Sequence, residues 1–327
     1  MKIIDKIWLL VAVFAFCACG SEETISGSEE PVKELKEYTV SLKLGGEITS
    51  SDSPLARAET ASTDLYGVQV YRKINGEADY NYFAYGLFDN MNDIKINLLE
   101  GSIYKFEVLL VKNGKNTLNK NGKGYKEPFN NMTRTGGSLL VSETPLNNDS
   151  FTYSDFYLGY IKNGSIGYQN YYPEGDWYYG EFSNYIPSNN GTVEIDLKHT
   201  VFGLQYKVTG ITDGTVSVTI ENEKRSFFTN SSITDDYTSE EKIIVFYDVY
   251  SAWQYANNYT ENLTVSLSWT RGVGVVQDLG SKTIQVKRNV MNVVRIQLGA
   301  NDGNASLGIT TEDDTNMRGE EVTIPLG

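Results

Sequence analysis

The 327-residue sequence holds a single histidine, His199, and two cysteines, Cys17 and Cys19. Each scarcity removes a class of chemistry. Both thiols lie at the amino terminus, so the rest of the chain has no disulfide, no thiolate metal site and no cysteine nucleophile. One imidazole cannot build a multi-histidine metal centre and would have to act alone as a base. Proline is sparse at 7 residues, and with 40% hydrophobic and 21% charged residues the composition is that of a folded chain, long enough for about two domains. Cations are outnumbered, 28 Lys and Arg against 42 Asp and Glu, which gives a net charge of −14. A chain this acidic repels phosphate backbones, and nucleic acid is not an expected partner.

The spacings that chemistry demands are also missing. Gly164-Ser165-Ile166-Gly167 is wrongly spaced for a nucleophile elbow. Neither Gly122-Lys123-Gly124 nor Gly272-Val273-Gly274 completes a phosphate or dinucleotide loop. In Asp89-Asn90-Met91-Asn92-Asp93 a methionine stands where a calcium loop needs its second ligand. Acids are plentiful, but nothing selects two of them as a glycosidase pair. The expectation is a protein that is not an enzyme and needs no cofactor or metal.

What is present begins with an address. Lys2 and Lys6 precede an apolar run from Ile7 to Phe16, and the segment closes on Ala18-Cys19-Gly20. The run suits a secretion signal and is too short for a stable membrane helix. A small residue before a cysteine is what a bacterial lipoprotein signal peptidase accepts, so residues 1–18 read as a signal peptide and Cys19 as the lipidated residue. An ordinary secretory signal with two incidental cysteines is the other reading. Residues 19–36, with Glu22-Glu23 and Glu29-Glu30, form an acidic tether without apolar period. The expected location is the cell outer membrane, lipid-anchored and facing outward.

From Tyr38 onward apolar residues recur at every second position, as in Val40, Leu42, Leu44; Ile94, Ile96, Leu98; Tyr104, Phe106, Val108, Leu110; Val193, Ile195, Leu197; Val216, Val218, Ile220; and Leu263, Val265, Leu267, Trp269. Period two means half-buried strands. Turn pairs such as Asn75-Gly76, Asn113-Gly114 and Asp213-Gly214 punctuate them. The fold class expected is all-β, two tandem antiparallel β-sandwiches over 37–188 and 189–327, with a boundary near Pro187-Ser188-Asn189-Asn190-Gly191. One stretch, Tyr250 to Asn258, spaces Val249, Trp253 and Ala256 for a short helix in the second sandwich.

Two features are candidates for contact. Residues 151–185 hold nine of the 23 tyrosines, with Trp177 among them. Flat amphipathic rings suit both packing and stacking on sugar, so Trp177, Tyr171, Tyr172, Tyr178 and Tyr179 are candidate contacts for a host or dietary glycan or a protein partner. His199 lies inside an alternating segment and reads as a solvent-facing strand residue rather than a base.

Three segments resemble the fimbrillin-like surface lipoproteins of Bacteroides-type bacteria, by pattern across most of the mature chain and without one diagnostic motif. They are Leu55-Ala56-Arg57-Ala58 in a Ser/Thr/Asp-rich stretch, the strand from Val193 to Leu204, and Val286-Lys287-Arg288-Asn289 followed by Val293 to Leu298. The resemblance implies two transthyretin-like sandwiches and a fimbrial subunit, accessory or anchor protein that assembles by strand addition with other subunits or copies of itself. It further implies cleavage at Arg57, removal of the strand from Tyr38 to Leu44, and a carboxy-terminal donor strand presenting Val322, Ile324 and Leu326. Pro325 departs from what a strand paired on both sides needs. The other reading of Arg57 is a lone arginine in an exposed loop, as in an anchor subunit that keeps its first strand.

Overall fold

A computed structural model describes residues 35–48, 63–74, 76–118, 124–125, 128–135, 138–147, 150–153, 157–159, 174–223, 225–271, 274–298 and 308–314. Alternation has become strand. In chain order the first eleven are β1 (Glu37–Gly46), β2 (Leu65–Ile74), β3 (Asn81–Phe88), β4 (Lys95–Leu99), β5 (Ser102–Val111), β6 (Asn130–Thr135), β7 (Ser138–Ser142), β8 (Thr152–Tyr153), β9 (Tyr157–Gly159), β10 (Trp177–Tyr185) and β11 (Gly191–His199). The rest are β12 (Val201–Thr209), β13 (Thr215–Glu221), β14 (Ser226–Ile233), β15 (Tyr237–Thr238), β16 (Lys242–Val245), β17 (Thr260–Arg271), β18 (Val275–Lys287), β19 (Met291–Gln297) and β20 (Gly308–Asp314). The expected helix is present as α2 (Val249–Gln254), and the sequence reading missed a single-turn helix, α1 (Gly114–Thr117).

The strands form two sandwiches built on one plan. In the first, one sheet runs β4-β1-β11-β10-β5-β2-β3-β8, joined at the β11–β10 pairing, and its β4-β1-β11 part packs against its β10-β5-β2-β3-β8 part, while β6 pairs with β7 and β9 in a small sheet of their own. In the second, β12 lies between β19 and the short β15 and β16, facing β14-β13-β17-β18. The opening strand of each sandwich is the middle of its layer. β1 pairs in parallel with β11 and antiparallel with β4, as β12 pairs in parallel with β19 and antiparallel with β15 and β16. The fold is thus all-β as expected, but these two parallel pairs interrupt the antiparallel order. The second sandwich adds β20 on the far side of β19.

The alternating runs from Val40 to Trp269 put their apolar residues inward, and others that they do not mark, such as Val68, Phe88, Leu204 and Val294, join them. Val40, Leu42, Leu44, Ile96, Leu98, Val193, Ile195 and Leu197 meet Val68, Phe88, Tyr104, Phe106 and Val108 in the first core. Leu204, Val216, Val218, Leu263, Val265, Trp269 and Val294 fill the second. A third cluster, including Leu65, Leu109, Trp177, Tyr179, Val201, Val245 and Val249, joins the two sandwiches, with Trp253 packed at its margin.

The expected boundary near Pro187 to Gly191 is corrected by this pairing. The resemblance implies that the strand from Val193 opens the second sandwich, but the inward side chains of β11 fill the first core and its backbone pairs with β1. The hand-over falls at Thr200, between β11 and β12. Asp213-Gly214 likewise links β12 to β13 across two layers instead of closing a hairpin.

The buried tyrosines set an alkaline limit on stability. Burial, reinforced by the nearby carboxylates of Glu107 and Glu181, pushes the Tyr179 phenol well above the ordinary value of 10.0. Desolvation also raises Tyr104. The native state therefore keeps protons that the unfolded chain loses near pH 10. Stability from this source is fully present below that pH and declines as pH rises above it, at up to about 1.4 kcal/mol per pH unit for Tyr179 alone. Urea midpoints measured at pH 8, 10 and 11 are expected to be flat over the first interval and to fall over the second.

Candidate functional site

The site is the seat of β1. Its sequence, Glu-Tyr-Thr-Val-Ser-Leu-Lys-Leu-Gly-Gly, turns every second side chain inward, and Val40, Leu42 and Leu44 are buried. Each is worth about 1.5–3 kcal/mol for leaving water. Both backbone edges are engaged. On one side Val40 lies opposite Gly191 and Leu44 opposite Ile195, and on the other Tyr38 lies opposite Leu98 and Val40 opposite Ile96. The Leu42 amide donates to the Ile94 carbonyl at 2.9 Å, extending the second ladder.

Side chains fix the register from outside. Asn190 Oδ1 accepts from the Thr39 amide at 2.9 Å, and the Thr39 hydroxyl donates to Asn97 Oδ1 at 2.8 Å. Lys43 Nζ reaches Glu194 Oε1 at 2.8 Å, across the parallel pair. That hydrogen bond raises the Lys43 ammonium and lowers the Glu194 carboxyl from their ordinary values. Both groups are solvated, so the pair sets register more than stability.

β1 is held at its ends differently from its counterpart in the second sandwich. β12 continues into β13 through only residues 210–214, whereas β1 reaches β2 through residues 47–64. Arg57 lies in that longer link, outside the described residues. The link leaves β1 through Gly46, whose φ is +89° and where a Cβ would collide with the Leu197 carbonyl oxygen. Only glycine permits that exit. The next residue, Glu47, donates its amide to the same carbonyl at 2.8 Å.

Of the remaining candidates, Cys19, Tyr171, Tyr172, Val322, Ile324 and Leu326 also lie outside the described residues. Trp177, Tyr178 and Tyr179 are described and buried, at 2%, 7% and 0% exposure. They do not form an exposed platform. Trp177 and Tyr179 pack in the joint between sandwiches, Tyr178 joins the first core, and the Tyr179 hydroxyl points toward Glu181. The expectation of glycan contact is corrected for these three, because β10 is a central strand between β5 and β11.

His199 is likewise neither solvent-facing nor placed as a lone base. It is 3% exposed, with Nδ1 2.7 Å from Asn289 Oδ1 and Nε2 2.5 Å from Asp176 Oδ1, and its ring stacks on Tyr178 with centroids 4.4 Å apart. Arg288, part of the late-strand signature in the sequence, emerges as the centre of a polar junction that sequence reading missed. Its side chain is 7% exposed and contacts Glu47 Oε2 at 2.8 Å. No periodicity flags two residues so far apart in the chain.

Among the described residues no group of three or more His, Cys, Asp or Glu side chains is placed to hold a metal, and no helix is long and apolar enough to cross a membrane.

No family model matches the chain, and no curated protein does. Solved structures do. One is a fimbrial assembly protein from Parabacteroides distasonis, 13% identical, covering 85% of this chain and 96% of the other at a TM-score of 0.32. Another is the fimbrial anchor protein Mfa2 from Porphyromonas gingivalis, 8% identical, covering 84% and 95% at 0.32. At such scores the seat of β1, and not this likeness, carries the functional conclusion.

Proposed function

We propose that the protein is a non-enzymatic structural component of the cell surface, delivered there as a lipoprotein anchored through Cys19, that joins a fimbrial or adhesive assembly by strand addition once cleavage after Arg57 separates it from that anchor. One observation supports this above the others: β1 is the middle strand of its layer, hydrogen-bonded on both edges, yet covalently continuous with the first sandwich only through residues 47–64. Cleavage after Arg57 would leave β1 held by non-covalent forces alone. Its departure would expose two facing backbone walls, β4 and β11, and the apolar sockets of Val40, Leu42 and Leu44. Such a slot takes an extended segment with alternating apolar residues. The carboxy-terminal Val322, Ile324 and Leu326 of another copy, or of another subunit, have that spacing.

The test is to treat the purified mature protein with an Arg-specific protease. Loss of residues up to 57 together with multimers that survive SDS is the expected outcome, and an Arg57→Ala variant is expected to stay monomeric. Cleavage at Arg57 that leaves an unchanged monomer, even with a synthetic peptide of residues 318–327 added in excess, would falsify strand addition.

A further inference from the structure

The exit of β1 is tied to the other sandwich by an ion pair in which the Arg288 side chain is 7% exposed and the Glu47 side chain 21%. Gly46 turns the chain so that the Glu47 carboxylate reaches the β11–β12 hand-over. There Oε2 accepts from the His199 amide at 2.9 Å and from Arg288 Nη1 at 2.8 Å, while Oε1 accepts from Arg288 Nη2 at 3.0 Å. The Arg288 fork is thereby matched on both nitrogens. The same guanidinium donates Nη1 to the His199 carbonyl at 2.7 Å and Nε to the Ala256 carbonyl at 2.5 Å. Arg288 thus gathers the end of β1, the β11–β12 hand-over and the segment after α2 around one charge.

The residues immediately after Arg288 matter equally. Asn289 takes a positive φ of 57°, donates its amide to the Val201 carbonyl at 2.8 Å and meets His199 Nδ1 through Oδ1. Two residues later β19 begins, with Met291 in register with Gly203 on β12 and with Asp314 on β20. The turn that holds Arg288 is therefore the root of the strand that carries the last described element of the chain.

We propose that the Glu47–Arg288 pair is a latch that couples occupancy of the β1 seat to the anchoring of β19 and β20. The inference rests on the proposed function only for what removes β1; the coupling itself is a property of the intact chain. Because Glu47 precedes Arg57, a cut there puts Glu47 on the departing piece. Arg288 then keeps two carbonyl partners but loses its counter-charge in a site where it is almost wholly buried, and an uncompensated buried cation is costly. The junction relieves that cost by opening, which loosens β19 at its root and with it the strand that leads to residues 315–327. Emptying the receiving slot would thus free the donating end of the same molecule.

The test is hydrogen exchange on the full uncleaved chain. In Glu47→Gln the amides of residues 291–297 and 308–314 are expected to exchange about tenfold faster or more than in the wild type, with β13 and β17 unchanged. Arg288→Gln, which also removes the bonds to the His199 and Ala256 carbonyls, is expected to accelerate the same segments at least as much, and the two together no more than Arg288→Gln alone, since its loss already removes the shared contact. Unchanged β19 and β20, acceleration spread evenly over both sandwiches, or effects of the two substitutions that multiply would each overturn the latch. Should Glu47→Gln not fold, Glu47→Asp, which keeps the charge but shortens the reach, is expected to give a smaller acceleration of the same segments, and its absence overturns the latch too. None of these outcomes depends on Arg57 being cut, so the latch and strand addition fail separately.

Discussion

Replacing Leu42 by aspartate is expected to unseat β1 while leaving the second sandwich folded. Leu42 is 4% exposed at the middle of the strand, its side chain in the first core and its amide on the Ile94 carbonyl. Truncating such a side chain alone costs about 2–5 kcal/mol, and a carboxylate placed there has no partner to offset its desolvation. The strand can escape that penalty because its only forward connection is residues 47–64, so leaving the seat does not tear the opposing layer β10-β5-β2-β3. Amides of residues 39–45 should lose protection, an apolar dye should bind the vacated slot, and the near-ultraviolet signal of Trp269, enclosed in the second core, should persist. A synthetic peptide of residues 36–48 is expected to bind the variant and quench the dye while leaving the wild type untouched. Cooperative loss of both sandwiches would show instead that β1 is integral to the whole body and cannot be exchanged.

The contrast between β1 and its counterpart β12 shows what could be read from the sequence and what could not. Alternation at Val40, Leu42 and Leu44 marks a half-buried strand, and the alternating runs from Val40 to Trp269 put their apolar residues inward because period two is a local consequence of the pleat, whereas core residues such as Val68, Phe88, Tyr206 and Phe246 lie outside those runs. Partnership is not local. Nothing in Val193-Glu194-Ile195-Asp196-Leu197 says whether it pairs with β1 or with β12, and its nearness in sequence to β12 suggested the wrong sandwich. The parallel pairs were hidden for the same reason, since their partners lie most of a sandwich apart along the chain.

His199 is a different kind of miss. It continues the inward series Val193, Ile195, Leu197, so the period itself points it inside. A polar residue at such a position carries no local sign of being inward, because its partners, Asp176 before β10 and Asn289 after β18, come from distant parts of the chain. The aromatic stretch misled through composition. Tyrosine is equally suited to stacking on a ligand and to filling a joint between layers, and only the central place of β10 decides for Trp177 and Tyr179.

That decision yields the second large effect. Trp177→Ala is expected to destabilise the protein by about 3–5 kcal/mol, as a large aromatic does when removed from a closed core. Trp177 is 2% exposed and packs with Leu65, Leu109, Val111 and Val201, residues drawn from both sandwiches. Beside it Tyr179 meets Trp253 edge-on with centroids 5.7 Å apart, and Tyr250 at 6.5 Å, which ties β10 to α2. A cavity opened here would loosen the contact between sandwiches before either core. The melting midpoint should fall by roughly 10 °C, with an earlier low-temperature shoulder as the joint yields. Migration through polysaccharide-containing gels should match that of the wild type at temperatures where both are folded. A glycan platform predicts the opposite pattern, in which retardation is lost and the midpoint holds, because an exposed stacking residue contributes to the ligand and little to the fold.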